Sequence, residues 1–134
     1  MKPPPRAEAE RWLAQARSDL EFARVGLREG FHAQACFQCQ QAAEKALKAL
    51  HYLGGARFVH GHSLVELLDA LLEAHPALAS LREGARRLDQ LYIPTRYPNG
   101  LPGGVPAEVF SRGQTLEAIA QAESFLTDAS RLLA

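Results

Sequence analysis

The sequence is poor in cysteine, in tryptophan and in long apolar runs, and it carries no net charge. Two cysteines, Cys36 and Cys39, cannot build a disulfide framework. No stretch of about 18 apolar residues occurs, so no segment reads as a bilayer-spanning helix. Lys plus Arg and Asp plus Glu number 15 each. That balance excludes capture of nucleic acid or an anionic membrane by the field of the whole chain, although a local basic patch is compatible with it. The opening MKPPPRAEAE lacks the apolar core of a signal peptide. Period-two alternation is missing too, as are long repeats and low-complexity tracts. A chain of 134 residues buries roughly 68 % of its unfolded surface, enough for one sizeable core. The expectation is one cytoplasmic domain over residues 1–134, with 1–6 as a flexible extension.

What is present is helical period. Leu13, Ala16, Leu20, Ala23 and Leu27 form an apolar stripe on a helix from about Ala7 to Glu29, which Trp12 widens and Gly30 stops. Cys36, Cys39, Ala43, Ala46, Leu50 and Leu53 step three and four along a second helix that ends at Gly54-Gly55. Its small residues admit a close neighbour, and the one-residue joint at Gly30 makes the two helices antiparallel. A third helix starts at Ser63, where Ser63 and Glu66 have the spacing of a capping box, and stops at Pro76. Leu78, Leu81, Ala85, Leu88 and Tyr92 mark a fourth. Ile119, Ala122, Leu126, Ala129 and Leu133 mark a last helix over Pro106 to Leu133. The pattern predicts an all-α, antiparallel up-and-down bundle of four to five helices. Its one long Pro/Gly-rich loop, YIPTRYPNGLPGG, lies before the last helix and is expected to be packed down by Tyr92, Ile93 and Tyr97.

Several residues carry chemistry worth weighing. His32, Cys36 and Cys39 share a helical face, but zinc wants four ligands and no second pair exists; the cysteines read as core packing, and neither metal nor cofactor is expected. His60 and His62 precede the third helix, whose amide end would welcome a phosphate. Arg57 and His62 match R-x4-H, a two-residue pattern that arises easily by chance. Gln41, Glu44, Lys45, Lys48 and Tyr52 lie opposite the cysteine seam. They read as a solvated polar face, or as one on which a lysine meets a partner or an anion. Arg96 lies between Tyr92 and Tyr97 on a backbone stiffened by Pro94 and Pro98. Such an arginine serves equally as a bidentate anion holder or as a clamp for its loop.

Taken in order, ACFQCQQAAEKALKAL, VHGHSLVELL and YIPTRYPNG resemble the HEPN domain, the higher eukaryotes and prokaryotes nucleotide-binding family. The matching residues are Gln40, Gln41, Glu44, Lys45, Lys48 and Ala49; His62, Ser63 and Leu64; and Arg96, Tyr97 and Pro98. The likeness spans about Ala7 to Leu132. It implies a helical bundle that dimerises and handles a nucleotide or RNA. It also implies pairing with a minimal nucleotidyltransferase in a two-component, toxin–antitoxin-like system. Ribonuclease members use a late R-x4-6-H motif, whereas here no histidine follows His75. The chain therefore reads as the non-nuclease type, with ribonuclease activity or a ligand-free dimerisation module as alternatives. The ligand- or partner-binding residues expected are Arg96, Tyr97, Lys45, Lys48, His62, Gln41 and Glu44; no catalytic residue is assigned.

Overall fold

The computed structural model describes residues 4–134. Helix α1 spans Pro5–Glu29. Proline suits the first helical position because the N–H it lacks would have no partner there. The helix thus starts before Ala7 and includes Pro5 and Arg6, which the sequence placed in a flexible extension; residues 1–3 of that extension lie outside the described residues. The apolar stripe Leu13, Ala16, Leu20 and Ala23 is buried as its period demands. Gly30 closes the helix at φ 82°, a conformation that glycine enters without the Cβ penalty.

Helix α2, His32–Leu53, runs back along α1 and lies at the centre of the molecule, with α1 and the helices Leu64–Asp69 and Arg112–Leu133 packed around it. Alanines 33, 35, 42, 43, 46 and 49 are all buried, so neighbouring backbones approach on several sides at once. Helix α1 comes close to the start of α2 at Gly26. A Cβ added at Gly26 would lie 2.9 Å from that of Ala35. Leu47 and Leu50, 1 % and 2 % exposed, contribute about 1.5–3 kcal/mol each in transfer from water.

The middle of the chain is more broken than its leucine period implied. Helix α3 covers only Leu64–Asp69; Leu71 follows in a turn and is still buried. Pro76–Leu81 form a 3-10 helix that leads into α4, Arg82–Asp89. The third and fourth stripes therefore do bury leucines, but through turns as much as through regular helix. Ser63 accepts a hydrogen bond from the Glu66 amide at 3.2 Å, while the return bond from the Ser63 amide to the Glu66 carboxylate is missing among the described residues. A complete capping box forms instead at Ser111 and Gln114, which start α6, Arg112–Leu133. Phe110 and Ser111 are extended and cut the expected last helix in two, leaving a one-turn α5, Pro106–Val109, before it.

Candidate functional site

Arg96 organises the late loop. Its Cζ lies 4.4 Å from the ring centre of Tyr92, 5.0 Å from that of Tyr97 and 4.4 Å from that of Phe37 on α2. Its Nε donates to the Tyr92 carbonyl at 2.8 Å. Among the described residues no carboxylate pairs with Arg96 and its two terminal amine groups meet no protein acceptor. Thr95, 3 % exposed, donates to the Leu91 carbonyl and anchors the same turn. The loop is pinned, but by Thr95, Tyr92 and Arg96. Ile93 and Tyr97, expected to be packed down, keep 45 % and 49 % of their surface in solvent. The turn is closed by its own backbone hydrogen bonds, from Arg96 N and Tyr97 N to the Ile93 carbonyl, and these two side chains remain about half in solvent.

Tyr92 links this stack to a second group. The His62 ring stacks on Tyr92 with centres 4.8 Å apart, so the imidazole and the guanidinium are separated by no more than that distance plus the 4.4 Å to Arg96. His62 Nδ1 lies 3.1 Å from Glu44 Oε1, and Lys48 Nζ donates to Glu44 Oε2 at 3.2 Å. Against a carboxylate paired with lysine Nδ1 is the donor, which leaves Nε2 on the exposed side of the ring. Gln40, fully buried, donates to the His62 carbonyl at 3.0 Å and accepts from Gln41 at 2.8 Å. The Lys48 ammonium also lies 5.9 Å from the Trp12 ring, which stacks on Tyr52.

The polar row on α2 is thus not a solvated face. Glu44 and Lys48 are 5 % and 6 % exposed, because α2 is wrapped by neighbours on sides that a surface helix would leave open. Lys45 leaves the row. It pairs with Asp19 of α1 and lines a shallow depression with Glu8, Arg11 and Gln15. The amide end of α3 is closed as well. The Asp89 carboxylate accepts from Leu64 N at 2.6 Å, Val65 N at 3.2 Å and Ser63 Oγ at 3.1 Å. The anion expected there is a side chain of the protein itself. Arg57 and His60 are exposed on the loop before α3.

Cys36 and Cys39 are buried free thiols. Burial pushes both thiols up from their ordinary value, and the nearby Cys36 adds to the effect on Cys39. Cys36 Sγ and His32 Nδ1 both meet the Thr115 hydroxyl, at 3.6 and 3.0 Å, so this face of α2 is sewn to α6. The sequence reading passed over Phe37, Gln40's carbonyl contact, Thr95 and Asp89. Phe37 was within reach, since Phe37, Gln41, Glu44 and Lys48 follow one another at steps of four, three and four. Asp89 carried no local signal.

An all-α bundle built on a buried Glu-Lys pair, with a ring-flanked arginine on its late loop, is the class of protein described so far. The HEPN domain family model matches residues 9–132, and the chain belongs to that family. Among solved structures it is similar to TT1696 from Thermus thermophilus, at 42 % identity over 92 % of this chain and 97 % of the other, with TM-score 0.88. It is similar to ST0689, an archaeal HEPN homologue, at 34 % identity over the whole of both chains, with TM-score 0.79. A HEPN domain protein of Thermotoga maritima is 32 % identical over 92 % of this chain and 97 % of its own, with TM-score 0.74. Comparison with curated proteins gives no match.

Proposed function

We propose that this HEPN-domain protein binds a nucleotide at the surface formed by Arg96, Tyr97, Tyr92 and His62. Such binding fits a partner subunit of a minimal nucleotidyltransferase in a two-component, toxin–antitoxin-like system. The carrying observation is Arg96. Three rings fix its guanidinium, one N–H holds its own loop, and both terminal amine groups remain for a ligand. A planar, pre-positioned guanidinium suits a phosphate because its two parallel donors match two phosphate oxygens. Glu44, Lys48, Gln40 and Gln41 support the site from behind by fixing His62 and its backbone. Calorimetric titration with the mono-, di- and triphosphates of adenosine and guanosine tests the reading: heat of binding with at least one of them in the wild type, and none in Arg96→Ala, is the expected pair. Identical behaviour of the two proteins removes the site.

A second reading, dimerisation, is favoured by a different surface. Phe22 and Phe31 are each 58 % exposed and Val25 39 %. With Gly26 and Ala35 they line an apolar slot of about 310 Å³ at the α1–α2 end of the bundle. Exposed aromatic knobs beside an apolar slot suit a self-complementary contact with a second copy of the chain. Sedimentation equilibrium of wild type against Phe31→Glu decides it, a dimer that dissociates in the variant being the expected result.

A further inference from the structure

The charge balance around Arg96 narrows the class of nucleotide, an inference that rests on the binding reading above. We infer that the site takes a nucleoside monophosphate and discriminates against a polyphosphate. Both lysines of α2 are already matched. Lys48 is paired with Glu44, and Lys45 is turned away to Asp19. The α3 amide end, which could have held a second phosphate, is filled by Asp89, so that flank presents a carboxylate rather than donors. His62, which shares the Tyr92 ring with the guanidinium, adds a single imidazole nitrogen. The site therefore offers one bidentate phosphate grip and one further polar contact. A triphosphate brings about three to four negative charges, and one guanidinium leaves most of them uncompensated.

Polyphosphate sites commonly solve that imbalance with a divalent cation held by a carboxylate. Two carboxylates bonded to His62 and its neighbour Ser63 are already committed. Glu44 serves Lys48, His62 and Gln40, and Asp89 serves Ser63 and two amides. Recruiting either to a metal would leave Lys48 buried without a partner or uncap α3. Tyr97 supplies what a monophosphate lacks in charge. Its half-exposed ring lies beside the guanidinium and offers a face on which a base can stack.

The test is a set of titrations of the full chain in EDTA with adenosine, AMP, ADP and ATP, each repeated with magnesium. A single-stranded oligonucleotide is the fifth ligand. Expected is AMP at least as tight as ATP, no gain from magnesium, and adenosine at least tenfold weaker than AMP. Arg96→Lys, which keeps the charge but loses the fork, is expected to weaken AMP at least tenfold with an unchanged circular dichroism spectrum. Tyr97→Ala is expected to weaken AMP without affecting the binding of inorganic phosphate. Affinity that climbs from AMP through ADP to ATP, or that needs magnesium, overturns the monophosphate inference and leaves the nucleotide site standing. Oligonucleotide binding tighter than AMP overturns it in favour of an RNA chain. No heat with any of the five ligands overturns both readings.

Discussion

At the scale of single residues, the decisive feature is that charge is placed inside. Glu44 and Lys48 hold each other at 3.2 Å with side chains 6 % and 8 % exposed. Removing one partner of such a pair leaves an uncompensated buried charge, whereas replacing both with apolar groups is close to neutral. Lys48→Ala is therefore expected to cost about 3–5 kcal/mol in urea unfolding, and the double variant Glu44→Leu, Lys48→Met less than the single one. The thiols give a second prediction. Burial holds both above the ordinary value of 9.0, so the folded state keeps its thiol protons at a pH where the unfolded chain gives them up. Their stabilising contribution is complete below pH 9.0 and falls as pH rises above it. Denaturation midpoints between pH 8 and 10 are expected to drop more for wild type than for Cys36→Ala, Cys39→Ala. At neutral pH both thiols are expected to resist alkylation until the protein is unfolded.

Among the elements, helix ends separate scaffold from site. Ser111 caps α6 from its own sequence neighbourhood. Ser111→Ala is expected to cost about 1 kcal/mol in chemical denaturation and to leave ligand binding unchanged. Asp89 caps α3 from 26 residues away and holds the segment that carries His62. Asp89→Ala is expected to cost a similar about 1–2 kcal/mol but also to weaken the ligand, which titration alongside unfolding will separate. Gly26 governs the α1–α2 hairpin. Gly26→Leu forces side-chain atoms into Ala35 and is expected to lower stability by about 1–3 kcal/mol or more, read as a lower thermal midpoint.

Across the whole molecule the helices divide by burial rather than by length. Central α2 is covered by α1, α3 and α6, whereas the 90–105 stretch is fixed mainly by its own turns and the Arg96 stack. Opening of the loop need not disturb the core. Amide exchange is therefore expected to be slowest in α2, at the rate of global unfolding, and much faster in the loop. The measurement is native-state hydrogen exchange by mass spectrometry. Among the described residues no helix is long and apolar enough to cross a membrane.

The helical class, the stripes of α1 and α2, the glycine stop between them and the proximity of Arg96 to Tyr92 and Tyr97 were all legible in the sequence. Each is fixed by residues within a few positions of one another, where the 3.6-residue period and the local preferences of glycine and proline act directly. Only the tertiary structure decided that Glu44 and Lys48 are buried, that Phe37 completes the arginine's cage, and that Asp89 occupies the amide end offered to a phosphate. Those outcomes depend on which surfaces meet after packing. Burial and charge neutralisation are set by neighbours in space, and the carboxylate that closed α3 lies on another helix.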